Sequence, residues 1–287
     1  MGKVSRIIDY LSDNNYYSNY LPIFRVYICF RIIKKTYLDW SSISLIFGRV
    51  IEVESPILEL FSFLDCTLLN IPIILILIIS LSLLFAFGLG KRLTILLLII
   101  CVYFKGELNY LHNNDKSNLL LCSYLFFTNS YDYFSLNRLK YKNVNIKKLS
   151  NFISNLAVYS IMIHLCLVYF TSFIHKIHSD VWFNGVANYY IFNLERYNSP
   201  FNYFFSKNLF FTVFSTYFTL VFELLFPILI WNKKFRNTLL ILGLCLHICR
   251  YYFLMIYDFE ILFIMIYGFF LTNQEWNKIL FRKNLFY

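Results

Sequence analysis

Charge is what this sequence most lacks. Only 15% of its 287 residues are Asp, Glu, Lys or Arg, and 59% are hydrophobic. A soluble domain carries about 25% charged residues, so much of this surface is expected to face lipid. Other absences narrow the function classes. With 8 glycines in all, the chain has no glycine-rich phosphate loop. It has no internal repeat, no carboxylate pair at glycosidase-like placement and no CxxC. The seven cysteines (29, 66, 101, 122, 166, 245 and 249) mostly sit in apolar runs and read as buried small hydrophobes rather than a disulfide framework. Cys245 and Cys249 flank His247 at helical spacing. No further Cys/His cluster completes a metal site, so no metal is expected. The polar start, "SDNNYYSNY", precedes the first apolar run, and no cleavable signal peptide is expected.

What the chain does have is length in apolar runs. Runs of about 18 residues or more are candidates to span a membrane. The clearest are Leu69–Leu89, Leu93–Leu111, Phe152–Ile174, Leu209–Trp231 and Thr238–Met255. Shorter or charge-bearing ones are Tyr20–Tyr37, Leu119–Phe134 and Phe259–Leu271. Phe and Tyr cluster beside the expected helix ends, as in interfacial aromatic belts. The expected fold is therefore all-α: a polytopic integral membrane bundle of about eight transmembrane helices, one domain over residues 1–287. A polar segment occupies 1–19, and outer loops occupy 38–68 and 177–208. The first loop contains "IEVESPILELFSFL", which reads as an amphipathic helix on the membrane surface.

The net charge of +10 is not a nucleic-acid signal, because the positive residues lie mostly in short loops between apolar runs. With a cytoplasmic N-terminus, fifteen Lys and Arg residues fall on the inside and seven on the outside. Four more, Arg25, Arg31, Lys34 and Lys35, belong to the first helix and its far end and fit the rule poorly. The bias predicts both termini on the cytoplasmic side of the cytoplasmic membrane.

Ionisable groups within spans are costly and point to function by default. Glu223 lies in "TLVFELLFPILIW", and is expected either to pair with a basic group such as Arg25 or Arg31 on the first helix or to be a hydrogen-bonded neutral acid. His247 lies in "LGLCLHICRYY", with Arg250 one turn on. Arg25, in "PIFRVYICF", has no adjacent acid and is expected to pair inside the bundle. Lys176 ends the fifth helix between His175 and His178, with Tyr169 seven residues earlier on nearly the same face and His164 nearby. A lysine there either snorkels to water or, held by burial and its neighbours as a neutral amine, acts as a base.

Taken in order, these residues resemble a known family. "HLCLVYFTSFIHKIHSDVWFNG" is similar to the signature of the vitamin K-dependent gamma-carboxylase and its bacterial relatives, the horizontally transferred transmembrane domain (HTTM) family. Leu167, Val168, Tyr169, Lys176, Asp180, Trp182 and Gly185 fill that pattern, with one extra residue between the lysine and the tryptophan. Arg25, "NNDKSNLLLCSYLFF" with "YFSLN", "FELLFPILI" and "LHICRYYFLMIYDF" resemble further family motifs in the same order, over roughly residues 20–272.

The resemblance implies that Lys176 is a base toward a quinone or hydroquinone at the outer membrane face. His175 and His247 would take part in the chemistry, and Tyr169, Trp182, Glu223, Arg250, Asp115, Arg25 and His164 would line the substrate. Departures shape the expectation. His175 stands where the carboxylase has a second lysine, His164 where glutamine is usual and Asn137 where an aspartate is usual. Asp115 stands near the place of a histidine. The sequence ends at Tyr287 without the carboxylase's luminal domain, so peptide carboxylation is not expected. Short bacterial members of the sporulation-delaying protein B type mature a secreted peptide toxin. That kinship implies a secreted peptide precursor and a small accessory protein as partners, beside the lipid bilayer. A lipid-binding or immunity-type membrane protein is the third reading.

Overall fold

The computed structural model describes residues 3–43, 71–108, 113–138, 141, 143–197, 199, 202 and 205–280. Among these there are helices and turns and no strand. Each of the eight apolar segments falls on a helix: α2 (Leu21–Ser41), α3 (Ile71–Ala86), α4 (Lys91–Leu108), α5 (Asn113–Phe127), α6 (Val144–Ile177), α9 (Leu209–Leu229), α10 (Lys233–Leu254) and α11 (Tyr257–Tyr267). Short helices among the described residues include α1 (Lys3–Asp13), α7 (Asp180–Phe183), α8 (Ala187–Phe192) and α12 (Asn273–Leu280). The amphipathic segment expected in the 38–68 loop lies outside the described residues, and α2 runs on to Ser41, past the expected start of that loop.

Three helices, α6, α9 and α10, are long and apolar enough to cross a membrane, and α3 is a shorter apolar helix. Their outward faces are rich in large apolar side chains, unlike those of a soluble fold. Along α9 the buried side includes Thr212, Thr216 and Glu223, while Phe210, Phe214, Val221 and Ile228 are exposed. In water that arrangement would cost free energy on both faces; in lipid only the polar groups need shelter.

The chain divides into two compact units, Met1–Tyr159 with Thr272–Tyr287, and Ser160–Leu271. In the first, polar side chains close helix ends. Asn155 Nδ2 donates to the carbonyls of Leu11 (2.7 Å) and Asn14 (2.8 Å), and Asn151 Nδ2 to that of Ser12 (3.3 Å). Leu11 and Ser12 lie in the last turn of α1, where carbonyls have no intrahelical donor. The helix α6 begins at Val144, before the apolar run at Phe152, and Asn151 and Asn155 near the start of that run hold the N-terminal segment.

Arg25 is fully buried, and among the described residues it pairs with no carboxylate. Its guanidinium donates to the backbone carbonyls of Ser130, Phe134 (2.5 Å) and Ala86 (3.2 Å), and lies 5.4 Å from the centre of the Tyr131 ring. The expected Arg25–Glu223 pair is therefore replaced by carbonyls at the end of α3 and in the turns after α5. Those turns also end α5 at Phe127, short of the expected Phe134.

Asp115 lies in the first unit too, in a buried ion cluster. The Lys105 ammonium sits between Asp39 Oδ2 (2.7 Å) and Asp115 Oδ1 (2.9 Å), and Lys35 also pairs with Asp39. Removing one member of such a cluster leaves an uncompensated buried charge, which costs about 3–5 kcal/mol. Lys105→Met should therefore lower the thermal midpoint in detergent sharply. Adding Asp39→Asn and Asp115→Asn should recover much of the loss; equal losses in the single and triple variants would contradict this account.

Asp132, in the loop before α6, accepts from Asn15 Nδ2 at 3.1 Å. Burial raises its carboxyl above the ordinary value, with the Asn15 bond pulling the other way. A raised carboxyl favours the folded state while protonated. The contribution is fully present below the unfolded value of about 3.9 and lost as pH rises through the higher folded value. Asp132→Asn should flatten the dependence of the thermal midpoint on pH above about 4 and leave the protein no less stable at neutral pH. An unchanged pH profile would contradict it.

Candidate functional site

The second unit gathers most of the expected site residues, and three local features do the positioning. First, α10 ends on Met255 in the left-handed conformation (φ 54°), and Ile256 leads directly into α11. So tight a turn folds α11 back along α10 and sets Glu260 against His247. Second, Gly243 lets the two helices approach: a Cβ there would lie 2.4 Å from the Tyr267 hydroxyl. Third, Gly185 (φ +75°) ends the W-x-x-G step against α9, where a Cβ would meet the Tyr217 ring at 2.7 Å. Tyr217 donates its hydroxyl to the Phe183 carbonyl (2.8 Å).

At the C-terminal end of α6, the Lys176 ammonium pairs with Glu223 Oε1 and lies 4.7 Å from the centre of the Trp182 ring. A cation over an indole face gains further stabilisation when shielded from water, and the helix C-terminus adds a favourable dipole. Glu223 is 2% exposed, and its Oε2 has no hydrogen-bond partner. Four residues on, Pro227 lacks the N–H that would close the helix on the Glu223 carbonyl.

A second group lies behind this pair. Glu260 is fully buried. Its Oε2 pairs with His247 Nδ1, and its Oε1 lies 3.2 Å from Arg250 Nε. The carboxylate fixes the ring proton on Nδ1 and leaves Nε2 to accept. Tyr169 donates to Nε2 at 2.6 Å, and Tyr267 donates to the Tyr169 oxygen at 2.5 Å. Every ring in this group packs on phenylalanine. Tyr169 meets Phe222 edge-on at 5.7 Å and Phe226 at 4.7 Å, and His247 lies 5.0 Å from Phe263.

Lys176, Trp182 and Arg250 open onto a cavity of about 280 Å³ whose other walls are largely aromatic, including Phe214, Phe218 and Phe253. No carboxylate lines it. The polar side chains Asn188 and Ser215 on its wall are bonded to each other at 2.7 Å.

The remaining expected residues lie elsewhere. His175 is exposed and His164 half-buried on α6. His178 caps the end of α6, donating from Nδ1 to the Ile174 carbonyl at 2.7 Å. Arg25 and Asp115 belong to the first unit, with the partners described above. The sequence reading missed Glu260, Tyr267 and Gly243. Glu260 carried a readable signal, an acid at the start of an apolar segment. Tyr267 was one tyrosine among 24. Among the described residues, no cluster of three or more His, Cys, Asp or Glu side chains is placed to hold a metal ion. No protein-family model, no curated protein and no solved structure matches the chain.

Gly243→Ala should push the Tyr267 ring out of register, breaking its bond to Tyr169 and costing about 1–3 kcal/mol. The penalty should shrink in a Tyr267→Ala background, measured as a double-mutant cycle on thermal stability. A penalty unchanged by that background would place the strain elsewhere.

Proposed function

We propose that this chain is a multi-pass protein of the cytoplasmic membrane that binds a lipophilic substrate in the aromatic cavity and exchanges a proton with it through Lys176. The carrying observation is the Lys176–Glu223 pair at the wall of that cavity. Lys176 reaches the cavity, whereas Glu223 is buried and does not line it. In this reading Lys176 takes the substrate's proton while passing one of its own to Glu223, so the ammonium persists and the carboxylate is neutralised. Buried acid–base pairs of this kind exchange protons without exposing an unpaired charge. Trp182 holds the ammonium in place. His247, Glu260 and Tyr169 keep the packing behind it rigid.

The eight helical segments are read as eight spans with both termini inside, on the strength of the loop charges. A quinone or hydroquinone, which the resemblance to the gamma-carboxylase family implies, is one substrate of the proposed kind.

Retention of the bound molecule tests the proposal. Arginine keeps the charge at position 176 but does not give up a proton at neutral pH. Lipid extracts of the purified wild-type protein should contain a bound lipophile with an acidic proton by mass spectrometry, and Lys176→Arg, which cannot pass a proton on to Glu223, should retain less of it per protein. No bound lipophile, or equal retention by both, would contradict the reading.

A further inference from the structure

Arg250 has more hydrogen-bonding capacity than its neighbours use. Its Nε faces Glu260 at 3.2 Å. Among the described residues no group is paired with the two terminal guanidinium nitrogens, and the side chain lines the cavity. The contact is an ion pair without a hydrogen bond, since Glu260 Oε1 has no hydrogen-bond partner, and Glu260 is fully buried and held from the other side by His247. A guanidinium facing a fixed carboxylate through Nε and open at its end is a receptor for a planar pair of oxygens.

The charge balance narrows the class further. Around the cavity the charged groups are Lys176 and Arg250 on its wall, and Glu223 and Glu260 behind. The neighbouring titratable groups are His247, Tyr169 and Tyr267, each engaged in the hydrogen bonds above, and the free thiols of Cys245 and Cys249 on the cavity wall. Two cations face two carboxylates, and an anion entering alone would leave one negative charge uncompensated in an apolar setting. An acid that enters with its proton avoids this: the proton passes to the Lys176–Glu223 pair, and the conjugate base remains between Lys176 and Arg250. A phosphate monoester carries about −1.5 to −2 and would still leave the site overcharged.

We infer that the cavity takes a lipophilic carboxylic acid whose carboxylate is held by the Arg250 fork and whose proton is taken up by the Lys176–Glu223 pair. This rests on the proposed function for the cavity and for Lys176, and it assigns Arg250 as the residue that selects the substrate's head. The apolar body lies among Phe214, Phe218 and Phe253.

Equilibrium binding to the full chain in phosphatidylcholine nanodiscs tests it, with laurate, methyl laurate, dodecanol and dodecyl phosphate as probes. Laurate should bind at least about tenfold more tightly than methyl laurate or dodecanol, a difference of about 1.4 kcal/mol. Because one proton accompanies the anion, laurate affinity should rise as pH falls. Arg250→Gln should bring laurate down to the level of dodecanol and leave dodecanol unchanged. Arg250→Lys, which keeps a charge beside Glu260, should also lose most of the preference, and it serves if the glutamine variant does not fold. Equal binding of all four probes, a preference that survives both substitutions, or tightest binding of dodecyl phosphate overturns the carboxylic-acid assignment and leaves the lipophile-binding reading standing. Failure of every probe to bind overturns both.

Discussion

A charge inside an apolar helical unit must be answered by an opposite charge or a proton. The penalty for leaving it unanswered is several kcal/mol per ion. In the second unit the answer is Glu223 against Lys176, and Glu260 against His247 and Arg250. The close approach at Gly243, the tight turn at Met255 and the Gly185 step all bring these partners into reach. None of the five side chains could be buried alone at its position. The unit's geometry follows from the need to bury them together, and the cavity lies where two of them, Lys176 and Arg250, still face outward.

The first unit meets the same constraint by other means. Among the described residues Arg25 is neutralised by no acid. Its charge is dispersed over three backbone carbonyls, one at the end of α3 and two in the turns after α5. Lys105 is shared between two aspartates. These groups tie α2 to its neighbours and present no charged side chain to the aromatic cavity, whose lining comes wholly from the second unit. Asp115 and Arg25 thus have structural partners that account for their burial, while Lys176 and Arg250 have capacity left over.

Much of this was legible in the chain. The apolar runs located all eight principal helices, because a long run without charges has few alternatives to a buried or lipid-facing helix. Lys176, Glu223, His247 and Arg250 stood out because an ionisable residue in such a run needs a reason. Pairing was less legible. Composition and order do not show which helix faces which, so Glu223 was given to Arg25 or Arg31 when its partner is Lys176. His175 was grouped with Lys176 because they are adjacent in sequence, but adjacent helical residues point about 100° apart, and His175 is exposed. Tyr267 and Gly243 carried no signal a single sequence could raise above its many aromatics and few glycines. Their roles exist only at the α10–α11 contact.

The account stands on Lys176 and Glu223 forming one buried unit, and a double-mutant cycle measures that directly. Thermal or denaturant stability of Lys176→Met, Glu223→Leu and the double variant should show each single change costing about 3–5 kcal/mol. The double variant should be more stable than either single one, because removing both charges leaves none unanswered. Additive losses, with the double variant the least stable of the three, would mean that the two side chains do not depend on each other, and the site built around them would fall.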